Sequence, residues 1–344
     1  MKFRFIKTIT EMEDLADAWN SLLAESITNV PFLRHEYLSG WWETRGGGEW
    51  ENAELAVVTG YREGRLCGIA PLFRTVNANG EPVLMLLGSI EISDYLDVIV
   101  REQDLAEFLT GLLDFLSEES PESWHQLDWV NLPEASKSLN ALQSAAEKHG
   151  WEYEQEPFRP VVSVALSGDF ESYLAGIDKK QRHEIRRKMR RAVEHTLPVS
   201  WYILSDDSHL EEDIQAFLKL MENDPDKSEF LSPAMRLQMA TTARAAWRCG
   251  CLQLAFLEVD GQKAAGYFNF DHNGKIWVYN SGLDPLYLEL SPGWVLLGHL
   301  LQWANENKRS EFDFMRGDEA YKFKFGGMKR FVMRVKVKRK PQDN

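Results

Sequence analysis

The sequence predicts an α/β fold of two tandem units, each a mixed sheet flanked by helices. Three observations carry this. Apolar runs bounded by Glu63-Gly64, Asn79-Gly80, Asp260-Gly261 and Asn273-Gly274 read as strands joined by tight turns. Stretches with apolar residues three and four apart read as amphipathic helices. The order strand–strand–strand–helix–strand occurs twice in 344 residues, the length of about two ordinary domains.

The first unit, residues 1–160, opens with a strand from Lys2 to Lys7. Thr10 is placed to cap a helix from Glu11 to Glu25 with Leu15, Trp19, Leu22 and Leu23 on one face. A helix from His35 to Thr44 precedes strands at Glu54–Thr59, Arg65–Phe73, Pro82–Leu87 and Tyr95–Val100. A helix (Leu105–Leu116), a strand (Gln126–Asn131) and a helix (Ser136–Lys148) complete it. The second unit, residues 161–344, repeats the order with strands at Leu252–Glu258, Lys263–Phe270 and Lys275–Ser281, a helix at Pro292–Asn307 and a strand at Glu311–Phe314.

Charge narrows the function. The net charge is −14, which speaks against a protein that coats nucleic acid by bulk attraction. Two basic islands interrupt this. Lys179 to Arg191 carries a net +7, and Ile185, Met189 and Val193 make it an amphipathic helix within 178–195. Tyr321 to Lys340 carries +9 and alternates as a strand over Phe331, Met333, Val335 and Val337. The rest of the chain therefore stands at −30. Three cysteines fit neither a disulfide framework nor a four-thiolate zinc site, and the eight His lack ligand spacing, so no metal is expected. The first residues lack a signal-peptide core and no apolar run spans a membrane, which points to the cytoplasm.

Two blocks carry a resemblance. Ser281-Gly282-Leu283-Asp284, Ser291-Pro292-Gly293 and Phe312 through Lys322 resemble the GNAT-type acetyltransferases of the CelD/BcsL kind, as does Gly88 through Asp97 in the first half. That group is related to the FemAB-type aminoacyl transferases, which also pair two units. The resemblance implies two tandem GNAT-like (acyl-CoA N-acyltransferase) units with the donor site in the second. It implies acetyl-CoA or another acyl-CoA as donor and a small-molecule or glycan-linked acceptor, such as a polysaccharide or cell-envelope precursor. Leu288 through Gly293 keeps only part of the glycine pattern typical before a coenzyme A-binding helix, so an aminoacyl or other thioester donor stays open. The alternatives are an aminoacyl transferase using charged tRNA, which the basic islands favour, and a catalytically silent scaffold.

Chemistry assigns roles on this frame. Ser291, Pro292 and Gly293 open a helix whose N-terminal amides suit a pyrophosphate. Asp313, Arg316, Asp318, Tyr321 and Lys322 crowd the end of a strand, where open α/β sheets gather their sites. Lys322, or Lys324, is suited to neutralise phosphate or an oxyanion, Arg316 to do so bidentately, and Tyr321 to protonate a leaving thiolate. Asp94 is a candidate base for the acceptor amine, with Tyr95 and Asp97 beside it as substrate contacts. Asn280 and Ser281 are candidates for donor amides, and Arg186 and Arg190 for an anionic acceptor.

Overall fold

The computed structural model describes residues 1–50, 52–119 and 123–339. The chain divides at residue 160, and the segment from Phe331 on groups with the first unit rather than with Val161–Arg330.

The first unit runs β1 Lys2–Ile6, α1 Ile9–Glu13, α2 Ala16–Ala24, α3 His35–Arg45, β2 Glu54–Leu55, β3 Val57–Arg62, β4 Arg65–Ala70, β5 Leu72–Val76, β6 Pro82–Leu86, β7 Ile99–Val100, α4 Leu105–Ser117, β8 Gln126–Pro133, α5 Lys137–Lys148 and the start of β9 Glu152–Ala165. Its strands pair in the order β1-β3-β4-β7 and, through β6, β8-β6-β5-β2. The strand expected over Arg65–Phe73 is split because Pro71 has no N–H for a ladder, leaving β4 on β3 and β5 on β6. The helix expected from Glu11 is also two helices. Its cap is Thr8, not Thr10: Thr8 Oγ1 accepts from the Glu11 amide at 3.2 Å while the Glu11 carboxylate accepts from the Thr8 amide at 3.2 Å. Glu three residues past Thr8 completes that box. The strand expected at Tyr95–Val100 shrinks to β7, since Tyr95 sits at φ +60°, outside the extended region.

The second unit continues with α6 Phe170–Gly176, α7 Lys179–Val193, β10 Val199–Ile203, α8 Leu210–Glu222, α9 Pro225–Phe230, α10 Pro233–Arg248, β11 Leu252–Val259, β12 Gln262–His272, β13 Lys275–Leu283, α11 Pro292–Glu306, β14 Glu311–Arg316, α12 Ala320–Lys324 and the start of β15 Met328–Lys338. The order here is β10-β11-β12-β13-β14-β9. In each unit two parallel strands are bridged by a crossover helix: β6 and β8 around α4, β13 and β14 around α11. Parallel neighbours require such a crossover. The repeat read in the sequence is therefore a repeat of topology.

The second core gathers Val295, Leu296, Leu300 and Leu301 of α11 with Ala255, Ala265, Ile276 and Phe312 of the sheet. Ile185 of α7 is fully buried in the same cluster, a contribution of about 1.5–3 kcal/mol. The two helices meet closely, since a Cβ on Gly298 would lie 2.9 Å from the Met189 sulfur. That crossing fixes the basic helix along α11.

The basic tail is not a free positive surface. Val332 to Lys338 pair with β8, and a bulge between Met333 and Val335 turns Val332, Val335 and Val337 all inward, which simple alternation does not foresee. Arg334 grips the buried Asp128 carboxylate at 2.8 and 2.6 Å. Arg339 donates to the carbonyls of Ser117 and Glu119. Lys340, counted in the tail, lies outside the described residues.

Candidate functional site

The second unit opens where its parallel strands part. β13 and β14 are paired only from Lys275 opposite Glu311 to Trp277 opposite Asp313. β13 then runs on to Leu283 along β12, while β14, paired with β9 from Glu311 onward, bulges after Asp313. Asn280 and Ser281 lie on this continuation of β13, beyond the last β14 partner. Asn280 Oδ1 accepts from the Ser281 amide at 2.9 Å, and the Ser281 carbonyl accepts from Lys227 Nζ at 2.5 Å.

The helix joining the two strands is α11. Ser291 occupies its N-cap position in the left-handed conformation, φ +53°. This swings the hydroxyl away from the first-turn amides, so Ser291 does not cap through its side chain. Its Oγ instead accepts from Lys188 Nζ at 2.9 Å. Pro292 and Gly293 follow in the first turn, which holds no acidic residue. Lys188 lies 4.6 Å from the Trp294 ring centroid and Lys324 5.8 Å. The indole Nε1 of Trp294 is buried without a hydrogen-bond partner. Burial, then the neighbouring Arg187 and Lys324 charges, hold the Lys188 ammonium below the usual lysine range, against the pull of Glu184. Lys188, Lys324 and the positive end of α11 therefore gather around Trp294, a set of groups suited to phosphate.

The equivalent helix of the first unit is built the other way. Glu102, Asp104 and Glu107 surround the start of α4, and Arg62 ties Asp104 (2.9 Å) to Glu107 (2.5 Å). An anion there would meet three carboxylates.

The turn after β14 is held from inside. Asp313 Oδ1 accepts from the Met315 amide at 2.7 Å, with Met315 at φ +60° and Gly317 at φ +97°. Lys322 is 2% exposed; its Nζ donates to the carbonyls of Arg316 (2.6 Å) and Gly317 (3.0 Å), reaches that of Met315 at 3.4 Å, and pairs with Glu319 at 2.9 Å. The ammonium that the sequence offers to a phosphate or oxyanion is thus committed to the turn that carries Arg316. Tyr321 packs edge-on against Phe314, and burial, then the Glu319 charge, push its phenol above the usual tyrosine range, keeping the proton on.

The residues expected on the acceptor side fall in the first unit. Asp94, Tyr95 and Asp97 are all buried. Asp97 Oδ2 accepts from Thr28 Oγ1 at 2.6 Å and from Ser136 Oγ, and Oδ1 from the Val98 amide at 2.8 Å. Burial raises the Asp97 carboxyl above the usual range, against these hydrogen bonds. This is a structural knot joining distant segments. On α7, Arg186 pairs with Glu171 and Arg190 is exposed, whereas the helix residue that reaches the site is Lys188. Its signal was its place three residues past Ile185, beside the apolar stripe that buries the helix. Lys227 was also missed; no motif surrounds it, and it joins the site only because α9 lies against Ser281.

The chain holds two units of mixed sheets flanked by helices, and the second carries this opening. Residues 179–323 match the family model described as an acetyltransferase (GNAT) domain. Among solved structures the chain is similar to FemX, at 12% identity over 97% of each chain with a TM-score of 0.66. It is similar to a conserved protein of unknown function from Bacteroides thetaiotaomicron, at 12% identity over 98% of this chain and 100% of that one, TM-score 0.58. The structure of L-PGS from Bacillus licheniformis matches at 12% identity over 89% of this chain and 92% of that one, TM-score 0.51. No curated protein matches in sequence. No helix among the described residues is long and apolar enough to cross a membrane, and no group of three His, Cys, Asp or Glu among them is placed to hold a metal ion.

Proposed function

We propose that the protein is an acyltransferase that takes an acyl group from an acyl-CoA thioester, bound in the second unit, to an amine or hydroxyl acceptor. The observation that carries this reading is the Lys188 ammonium on the Ser291 hydroxyl, at the start of α11, where β13 and β14 part. The donor pyrophosphate sits on the first-turn amide of Gly293, with Lys188 and Lys324 offsetting its charge. The stretch of β13 at Asn280 and Ser281, beyond its last β14 partner, receives the donor's amides as Lys227 gives up the Ser281 carbonyl. Lys322 positions the 315–319 turn, so that Arg316 faces the reacting end, and Tyr321, protonated at neutral pH, donates to the leaving thiolate. The acceptor class follows the CelD/BcsL resemblance, a polysaccharide or cell-envelope precursor, and the site of action is the cytoplasm.

One observation favours a second reading. Arg187 and Arg190 are exposed on α7, the helix that supplies Lys188, and a basic helix beside a donor site also suits the backbone of a charged tRNA. A GNAT-fold scaffold without activity would bind neither donor. Isothermal titration with acetyl-CoA and with aminoacyl-tRNA separates the three. Saturable acetyl-CoA binding that survives raised salt supports the proposal. Steeply salt-dependent binding of aminoacyl-tRNA alone supports the second reading, and no binding of either overturns both.

A further inference from the structure

α10 ends in Trp247-Arg248-Cys249-Gly250-Cys251. Gly250 is left-handed at φ +69°, its amide donates to the Trp247 carbonyl at 2.9 Å, and the Cys251 amide donates to the Ala246 carbonyl at 2.9 Å. This pair of reversed bonds is the Schellman termination of a helix, which favours glycine at its left-handed centre. By folding the chain back over Gly250 it brings the two flanking thiols together. Cys249 Sγ and Cys251 Sγ lie 2.7 Å apart, with no bond drawn between them. The spacing decides what the pair is suited to. A tetrahedral metal with sulfur at about 2.3 Å would hold two thiolates roughly 3.8 Å apart. A disulfide needs about 2.05 Å. The observed separation lies nearer the bond than the chelate.

We propose that Cys249 and Cys251 are a reversible thiol–disulfide pair, oxidised by a small-molecule disulfide of the glutathione type. Cys249 is half-buried and Cys251 buried, so Cys249 is the attacking thiol. Its thiolate attacks one sulfur of the oxidant; that S–S bond breaks and one glutathione thiolate leaves. The Cys251 thiolate then attacks Cys249 Sγ in the mixed disulfide, the Cys249–Cys251 bond forms, and the second glutathione leaves. Two protein thiols lose two electrons and two protons, and one glutathione disulfide becomes two glutathiones. The closed loop is very short, so the bond removes little unfolded-state entropy and adds little stability. That suits a bond made and broken under changing redox conditions rather than a structural staple.

The pair lies away from the donor opening. The Cys251 carbonyl accepts from the Asp271 amide at the end of β12, and the same end of the sheet holds the start of β13 at Lys275, whereas the opening lies at its far end, past Asn280. The inference is therefore independent of the proposed reaction.

The test is intact-mass spectrometry of the full chain after incubation with glutathione disulfide at several glutathione ratios, followed by thiol titration under denaturing conditions. The expected product has lost two hydrogens and carries no glutathione, titratable thiols fall from three to one, and a peptide map places the bond between Cys249 and Cys251. Cys251→Ser should trap the glutathione adduct on Cys249, and Cys249→Ser should give neither product at the rate of the native chain. A native chain that stays fully reduced, or that accumulates only a stable glutathione adduct, overturns the proposal. So does a bond that uses Cys67.

Discussion

Replacing Lys188 with Met keeps the aliphatic stem on Trp294 and removes only the ammonium. In the free protein that ammonium bonds Ser291 Oγ at 2.9 Å, faces Trp294 at 4.6 Å and reaches Glu184 at 3.8 Å, with the side chain 20% exposed. The partly exposed ion pair is worth about 0.3–0.5 kcal/mol and the cation–π contact about 0.5–1 kcal/mol, so the fold should survive. Against a bound pyrophosphate the same group makes a charge-assisted hydrogen bond, worth about 1.5–3 kcal/mol. Affinity for acetyl-CoA should then fall by roughly 10-fold to 100-fold. Isothermal titration measures this, with acetyl-pantetheine, which lacks the nucleotide, as the control. Acetyl-pantetheine should bind Lys188→Met and the native chain alike. The native affinity should weaken as pH rises through the depressed lysine range, and the variant should lose that dependence. Equal acetyl-CoA affinity in both proteins, or an equal loss with acetyl-pantetheine, would refute the placement of the pyrophosphate.

Three other outcomes follow from the packing. Asp97→Ala strands the buried donors of Thr28, Ser136 and Val98, at about 1–3 kcal/mol each; it should lower the Tm sharply while leaving donor affinity per folded molecule unchanged, and a donor defect in stable protein would contradict the structural role. Gly282→Ala puts a Cβ 2.5 Å from the Met221 amide nitrogen and 2.6 Å from the Leu220 carbonyl carbon, so β13 must move off α8; a cost of about 1–3 kcal/mol should appear in urea unfolding together with weaker donor binding. Burial pushes His299, stacked on Trp201, down to about 4. The unfolded chain then binds the extra proton below about 6.5, so stability falls as pH drops from there toward 4, by at most about 3 kcal/mol; His299→Phe should flatten that part of the pH–stability curve.

The sequence disclosed the repeat because its signals are local. Gly turns at 64, 80, 261 and 274 and the alternating runs between them mark the strands of both units, and Ser291-Pro292-Gly293 marks the start of α11. What it hid depends on contacts made at long range. The tail strand reads as a basic surface until Asp128, two hundred residues earlier in the chain, neutralises Arg334. Lys322 reads as a phosphate ligand until the carbonyls of 316 and 317 accept its hydrogen bonds. Arg186 and Arg190 read like Lys188 because all three share one basic helix; only the Met189–Gly298 crossing decides which of them meets α11. The split of a strand at Pro71 was local and could have been read from the missing N–H alone.

The proposed reaction places the anionic end of the donor on the start of α11. A crystal structure of the chain with bound coenzyme A tests it most directly. Pyrophosphate density is expected within hydrogen-bonding reach of the Gly293 amide and of Lys188 Nζ. Density for the pyrophosphate at α4, or anywhere else that leaves Lys188 on Ser291 unengaged, would contradict it.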